Sequence, residues 1–135
     1  MKRVKRKDRS MAWLKREMDA VFSQYIRNKY SVNGICTCYT CGKKLPIKQM
    51  QNGHFISRGY LITRWNENNC RPQCAGCNIF GGGKPLDFED HLKEELGDEL
   101  VEEMKKSRHQ ITILSRVWYA EQIDIYKQKL KELNV

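Results

Sequence analysis

Two C-x-x-C pairs, Cys38-Tyr-Thr-Cys41 and Cys74-Ala-Gly-Cys77, constrain this chain more than any other feature. Each pair offers two thiolates to one ion, and a second pair completes a tetrahedron of sulfur, the usual make-up of a structural zinc site. Four ordinary buried cysteines, or two disulfides, are the competing readings. They carry less weight because the basic N-terminus lacks a following apolar stretch and so does not read as a secretory signal. In a reducing compartment such thiols meet metal rather than one another. Cys36 and Cys70 fall outside the pairs and read as small buried side chains.

Zinc alone would make a binding ribbon, but polar residues hang on this staple that a ribbon does not need. His54 follows Gly53 and precedes Phe55-Ile56, Asn69 lies nine positions before Asn78, and Asn78 directly follows the last paired cysteine. An imidazole near neutral pKa can serve as general base toward water. One Asn amide can orient it, and the carbonyl oxygen of another can ligate a hard cation such as Mg2+ or Mn2+. That combination suits phosphodiester hydrolysis, which needs an activated water and a cation to offset developing charge.

At these residues the chain resembles the zinc-supported branch of the HNH, or His-Me finger, endonucleases. More narrowly, Asn52-Gly-His-Phe-Ile-Ser-Arg58 and Asn69-Cys-Arg-Pro-Gln-Cys74-x-x-Cys77-Asn78 resemble the lambdoid phage NinG/Rap recombination nucleases. Val21-Phe22-Ser-x-Tyr25-Ile26-Arg27 is similar to the run preceding the cysteines in that family. The resemblance implies a metal-dependent, structure-selective endonuclease for branched recombination intermediates, Holliday junctions and D-loops, working in the cytoplasm of a bacterial host. It implies His54 as general base, Asn69 as its orienter, Asn78 as a ligand of the catalytic Mg2+ or Mn2+, and Cys38, Cys41, Cys74 and Cys77 on structural zinc. It also implies branched or double-stranded DNA and phage or host recombination proteins as partners. One departure stands out. The residue before the HNH histidine is commonly an Asp or His that binds the metal, and here it is Gly53, so either His54 ligates the metal itself and water needs another base, or an acid from elsewhere, such as Glu67 or Asp87, supplies that ligand.

Charge supports a polyanionic partner. The formal net charge of +9 is uneven: residues 1–30 carry +7 and residues 31–85 carry +6, whereas residues 86–108 carry −5 and residues 109–135 carry +1. The excess thus falls on the N-terminal arm and the metal segment, where phosphate contact is needed. Lys5 and Arg6 in the arm, Lys43 and Lys44 after the first cysteine pair, and Arg58, Arg64, Arg71 and Lys84 around the proposed chemistry are the DNA-binding candidates, each weighed against plain surface solubility. No apolar run approaches the roughly 20 residues that span a bilayer, so no membrane partner is expected.

The expected fold is α+β, a zinc-stapled ββα-metal core of HNH type with flanking N- and C-terminal helices. Residues 1–10 read as a basic arm without fixed structure, and residues 11–135 as a single domain. Within it, 11–33 is an N-terminal helix, 34–85 the zinc and ββα-metal core, and 86–135 the C-terminal helices. Ser10 is the expected N-cap of the first helix, Asn33-Gly34 its exit, and Leu14, Met18, Val21, Phe22, Tyr25 and Ile26 its apolar face. Gly53 to Ile56 reads as the first strand of the ββα unit and Leu61 to Trp65 as its partner. Helices are expected from Asp87 to a C-cap at Gly97, again from Asp98, and from about Ser115 to Leu133, the last burying Trp118, Ile125, Tyr126, Leu130 and Leu133. The run Ile79-Phe80-Gly81-Gly82-Gly83-Lys84-Pro85 lacks Walker spacing, which argues against an ATP site. Because a symmetric junction needs two cuts, a homodimer is expected. The rival readings are a non-catalytic zinc module that binds nucleic acid, with Gly53 marking a decayed site, and a structural zinc protein whose arm recruits an anionic partner.

Overall fold

The computed structural model describes residues 4–134. In chain order its elements are α1 (Met11–Lys29), β1 (Ser31–Val32), β2 (Ile35–Thr37), β3 (Lys44–Pro46), β4 (Gln51–His54), α2 (Leu61–Arg64), β5 (Cys70–Gln73), α3 (Pro85–Leu96), α4 (Asp98–Ser107) and α5 (Arg116–Glu132). The chain is therefore α+β, with small sheets set among helices. It divides into two compact units, Met1–Tyr25 with Ile113–Val135, and Ile26–Thr112. That division differs from the expected arm, helix, core and tail, because α1 is shared between the units and α3 and α4 belong with the cysteines.

In the first unit, the Ser10 hydroxyl caps α1 by accepting the Trp13 N–H at 3.1 Å, and Ser115 caps α5 by accepting the Trp118 N–H at 3.0 Å. Each satisfies a donor that the first helical turn leaves without an intrahelical partner. Leu14, Met18, Val21 and Phe22 are buried along α1, as expected. On α5 the buried stripe is Tyr119, Ile123, Tyr126 and Leu130, the i, i+4, i+7, i+11 series of one helix face. Ile125 and Leu133 were expected inside; Ile125 lies off that stripe and is 44% exposed, and Leu133 lies past the last helical residue, Glu132, and is 38% exposed. The Phe22 ring meets Tyr126 edge-on, centroids 5.0 Å apart. The arm is not structureless throughout: Arg6–Asp8 form a single 3-10 turn, and Arg6 pairs with Asp124. Of the arm, residues 1–3 lie outside the described residues.

The second unit holds the cysteines. Asn33 and Gly34, at φ of 51° and 79°, make the two-residue turn that suits a tight β-hairpin, the positive φ being cheap for Asn and Gly. That turn joins β1 to β2, and β3 completes a three-stranded antiparallel sheet. A separate antiparallel ribbon pairs β4 with β5 in the register Gln51↔Gln73, Asn52↔Pro72, Gly53↔Arg71, His54↔Cys70. Leu61 to Trp65 was expected to be the partner strand of His54; instead Leu61–Arg64 is a helical turn and Cys70–Gln73 pairs. The reason lies in Asn69, whose amide holds the Thr63 carbonyl at 3.1 Å and so fixes the turn. After β5 the backbone enters a π-helical turn, Gly76–Phe80.

Two apolar clusters brace the ribbon. Cys36, Cys38, Met50, Cys74 and Cys77 form one, with Leu45 and Ile47 packed on it. Ile56, Phe88, Leu92, Val101 and Met104 form the other, with Tyr39, Phe55 and Leu96 around it. α3 and α4 break at Gly97, whose φ of 90° is the conformation that favours glycine at a helix C-terminus. Two of their acids are answered within the pair: Lys105 lies 2.7 Å from Glu89 and 3.3 Å from Glu102, and Lys93 lies 3.4 and 3.0 Å from the same two. No helix among the described residues is long and apolar enough to cross a membrane.

Candidate functional site

The four paired cysteines converge. Their sulfur atoms all lie within 4.8 Å of one another, and Cys41 Sγ and Cys74 Sγ are 3.7 Å apart. A tetrahedral ion with Zn–S bonds of about 2.3 Å requires S···S separations of about 3.8 Å. The donor set and its spacing therefore fit zinc, and Cys36 and Cys70, both buried, stay outside the cluster. Cys36 Sγ donates to the Arg27 carbonyl at 3.0 Å instead.

Local backbone makes each knuckle. The Cys38 N–H donates to the Lys43 carbonyl at 2.8 Å and the Gly42 N–H to the Cys38 carbonyl at 2.9 Å. Gly42 takes a φ of 78° to close that turn. In the second knuckle the Asn78 N–H donates to the Cys74 carbonyl at 2.9 Å. The thiols show why an ion belongs between them. Burial pushes the Cys38 thiol up, but the backbone N–H groups of Cys74, Thr40 and Cys41 and the Thr40 hydroxyl outweigh it and hold the group down at about 6. For Cys41 the Lys43 N–H favours the thiolate, yet burial and the neighbouring sulfurs of Cys38, Cys74 and Cys77 prevail and the thiol is pushed up to about 12. A second thiolate beside the first is opposed until a dication offsets the charge.

His54 ends β4, half-buried, and its Nε2 lies 2.8 Å from the Arg64 carbonyl oxygen. A carbonyl only accepts, so Nε2 is the donor. Nδ1 is then the nitrogen able to take a proton. Asn69, expected to orient the imidazole, is fully buried and spends its amide on backbone. Its Oδ1 accepts the Ile56 N–H at 2.7 Å, and its Nδ2 donates to the Ile56 and Thr63 carbonyls at 3.0 and 3.1 Å. Asn69 thus locks the loop that follows His54 to the turn whose Arg64 carbonyl holds the ring. The orientation is indirect.

Asn78 sits in the π-helical turn, and its Nδ2 donates to Gln51 Oε1 at 2.8 Å. That bond fixes the amide plane and leaves Oδ1 as the acceptor. From the ladder register, Gln51, Gly53, Gln73 and Arg71 share one face of the ribbon, and Asn52 and His54 the other. On the first face Gln73, fully buried, lies across Gly53: a Cβ added there would stand 2.0 Å from Gln73 Oε1 and 2.7 Å from its Cγ. Gly53 is therefore a packing requirement, which gives the missing side chain a reason other than decay. Gln73 Nε2 donates to Thr40 Oγ1 at 3.1 Å and to the Gly83 carbonyl at 2.9 Å, tying ribbon, first knuckle and glycine run together. Its Oε1 and the Oδ1 of Asn52 are buried and lack a hydrogen-bond partner. The oxygens available for a hard cation here are neutral amides. They match Mg2+ in type but add no charge.

The charged candidates separate clearly. Lys5, Lys43, Lys44, Lys84 and Arg58 are exposed, and Arg64 is half-buried with its guanidinium 4.9 Å from the Trp65 ring. Arg71 is a correction. It is 1% exposed, donating to Glu95 at 3.3 Å and to the Glu67 and Cys70 carbonyls at 2.7 Å each. The rings of Tyr30 and Tyr39 flank it at 5.0 and 5.4 Å. It is an internal cation, closed to phosphate. Glu67, considered as a metal acid, instead bonds Lys29 at 3.2 Å, and Asp87 is exposed in the first turn of α3. Gln51, Gln73 and Glu95 were not singled out from the sequence; the alternation of Gln51 and Gly53 on a strand was the signal available for the first.

Comparison with known proteins now decides the family. The family model described as Bacteriophage Lambda NinG protein matches residues 1–135. The chain belongs to the NinG family. Protein ninG of Escherichia phage lambda is 31% identical over 125 residues, which cover 90% of this chain and 57% of that protein. The ninG proteins of Escherichia phage 933W and Enterobacteria phage VT2-Sa are each 30% identical over 125 residues, covering 90% of this chain and 58% of theirs. This chain thus spans less than two thirds of the length of those NinG relatives. No solved structure matches it.

Proposed function

We propose that this chain is a metal-dependent endonuclease that cuts branched DNA during phage recombination, with zinc as its structural staple. The observation that carries the reading is the held imidazole: His54 Nε2 is committed to the Arg64 carbonyl at 2.8 Å, and so Nδ1 faces the task of proton acceptor. In this reading Nδ1 takes a proton from water as the oxygen attacks phosphorus, and the bond from phosphorus to the 3′ oxygen breaks. Asn78 Oδ1, set by Gln51, would hold the divalent ion. Such an ion, when bound, offsets charge on the phosphate and on the departing oxygen. Lys43, Lys44, Lys84 and Arg58 would meet the DNA backbone.

The test is cleavage of a labelled four-way junction and of linear duplex, with and without Mg2+ or Mn2+. His54→Ala should lower the rate by at least about 100-fold, since general-base catalysis contributes on the order of 10²–10⁴. Junction affinity should stay close to wild type, because the base acts in the transition state. Cleavage by His54→Ala at the wild-type rate would remove the assignment and leave a zinc module that binds nucleic acid without cutting it.

A further inference from the structure

Directly beyond Asn78 the chain places apolar side chains in solvent. Ile79 is 59% exposed, Phe80 86% and Leu86 77%. Yet the backbone that carries them is pinned. Gly81 N–H donates to the Gly76 carbonyl at 2.7 Å and Gly83 N–H to the Cys77 carbonyl at 2.9 Å, so the glycine run folds back on the second zinc knuckle. Gln73 holds the Gly83 carbonyl from the ribbon side. Gly82 and Gly83 take φ of 65° and 86°, and Lys84 takes 50°, which lets so short a loop return. The Lys84 stem lies over Gly81, where an added Cβ would meet its Cε at 2.7 Å. The glycine run is therefore a braced turn that carries an exposed Phe80 and an exposed Lys84.

We infer that Phe80 is a wedge that stacks on an unpaired base at a DNA branch point, with Ile79 beside it and Lys84 on the adjoining phosphate. The inference rests on the DNA reading above and goes beyond it by naming the group that senses the branch. Charge favours this occupant: between residues 72 and 86 the only charged side chain is Lys84, and no acid occurs before Asp87. Asp87, exposed at the start of α3, turns the Leu86 side of the patch away from phosphate. Three side chains, even fully covered, fall short of the roughly 800 Å² per partner of a stable protein interface, whereas one ring is enough to stack a base. A preformed wedge favours DNA already unstacked, because a duplex must first be opened at a cost of a few kcal/mol per step.

The experiment places 2-aminopurine at the branch point of a four-way junction or within one arm, with no divalent cation added so that the DNA stays intact. Wild type should change the branch-point fluorescence and leave the arm signal alone. Phe80→Ala and Phe80→Leu should lose that change, and their preference for junction over duplex should fall by roughly 5- to 150-fold, the range of base–aromatic stacking. Phe80→Trp should keep both. Lys84→Gln should weaken junction and duplex alike and leave the ratio unchanged. Zinc content and thermal midpoint verify that each variant is folded. If Phe80→Ala keeps the ratio and the signal while wild type binds and cuts, the wedge is wrong and the endonuclease reading stands. If wild type neither binds nor cuts branched DNA, both fall. Dissociation of an oligomer by Phe80→Ala, with the branch preference intact, would reassign the patch to a second copy of the chain.

Discussion

Gly53 and Gln73 show how one position can be misread from its neighbours in sequence. Beside the proposed base, a glycine suggests a lost ligand; across the ribbon, it is the space Gln73 occupies. Gly53→Ala should destabilise the protein by about 1–3 kcal/mol, the usual cost of overpacking, and Gly53→Asp by more, since a carboxylate would be pressed against a buried oxygen. Gln73→Ala should recover part of the Gly53→Ala loss, and urea denaturation of the two single variants and the double measures that coupling. Independent, additive effects would sink the packing account. Arg71 is the second residue whose neighbours were invisible. Glu95 lies 24 residues on, and the two tyrosines come from before the first knuckle and from within it. Burial pushes the Glu95 carboxyl up, but the Tyr39 hydroxyl at 2.5 Å and the Arg71 guanidinium outweigh it and hold the group below its ordinary 4.5. A lowered carboxyl contributes stability that is complete above pH 4.5 and is lost as pH falls through the lower folded value. Glu95→Gln should therefore be less stable than wild type near neutrality, with the gap closing below pH 4.5, in denaturation followed from pH 3 to 7. A gap that persists unchanged in acid would mean the carboxylate is not what Arg71 relies on.

At the scale of elements, what was legible followed local chemistry. Ser10, Ser115 and Gly97 mark helix ends because capping and positive φ act within a turn, and all three stand where the sequence placed them. The four cysteines were legible because metal geometry restricts spacing. The partner of β4 was not. Leu61 to Trp65 has the composition of a strand, and the side chain of Asn69, reaching back to Thr63 and Ile56, holds it as a turn together with the Tyr60 carbonyl, which accepts the Thr63 and Arg64 N–H groups. Asn69 could be singled out by its place in the motif, but its task, bracing backbone instead of touching the ring, is a tertiary fact. The same reasoning ranks the elements by dependence on zinc. β4, β5 and the π-helical turn are short, and the two knuckles close on the ion, so these should lose order when metal is removed, whereas α1 and α5 have caps and apolar stripes of their own. Chelation should collapse near-UV circular dichroism while much helical far-UV signal remains, with return on adding one equivalent of zinc. Retention of the near-UV signal in metal-free protein would contradict a structural role for the cluster.

Across the whole molecule, the count of 25 Lys and Arg residues overstates the number of cations that can meet DNA. Arg71 is enclosed, Lys93 and Lys105 are shared between Glu89 and Glu102, and Arg6 is paired with Asp124. Such pairs contribute little to stability in water, but each one lowers the charge left for phosphate. Salt dependence can count what remains, because each phosphate neutralised on duplex DNA steepens the plot of log affinity against log salt by about 0.9. Replacing Lys43, Lys44 and Lys84 together by Gln should flatten that slope by roughly 2.7 if all three reach phosphates. Arg71→Lys should leave the slope unchanged while lowering stability, because an ammonium cannot reproduce the guanidinium's fork toward two carbonyls and Glu95. Binding titrations on one duplex between 50 and 200 mM salt separate these outcomes. A flattened slope for Arg71→Lys, with the lysine triple variant unaffected, would reverse the assignment and return Arg71 to the DNA surface.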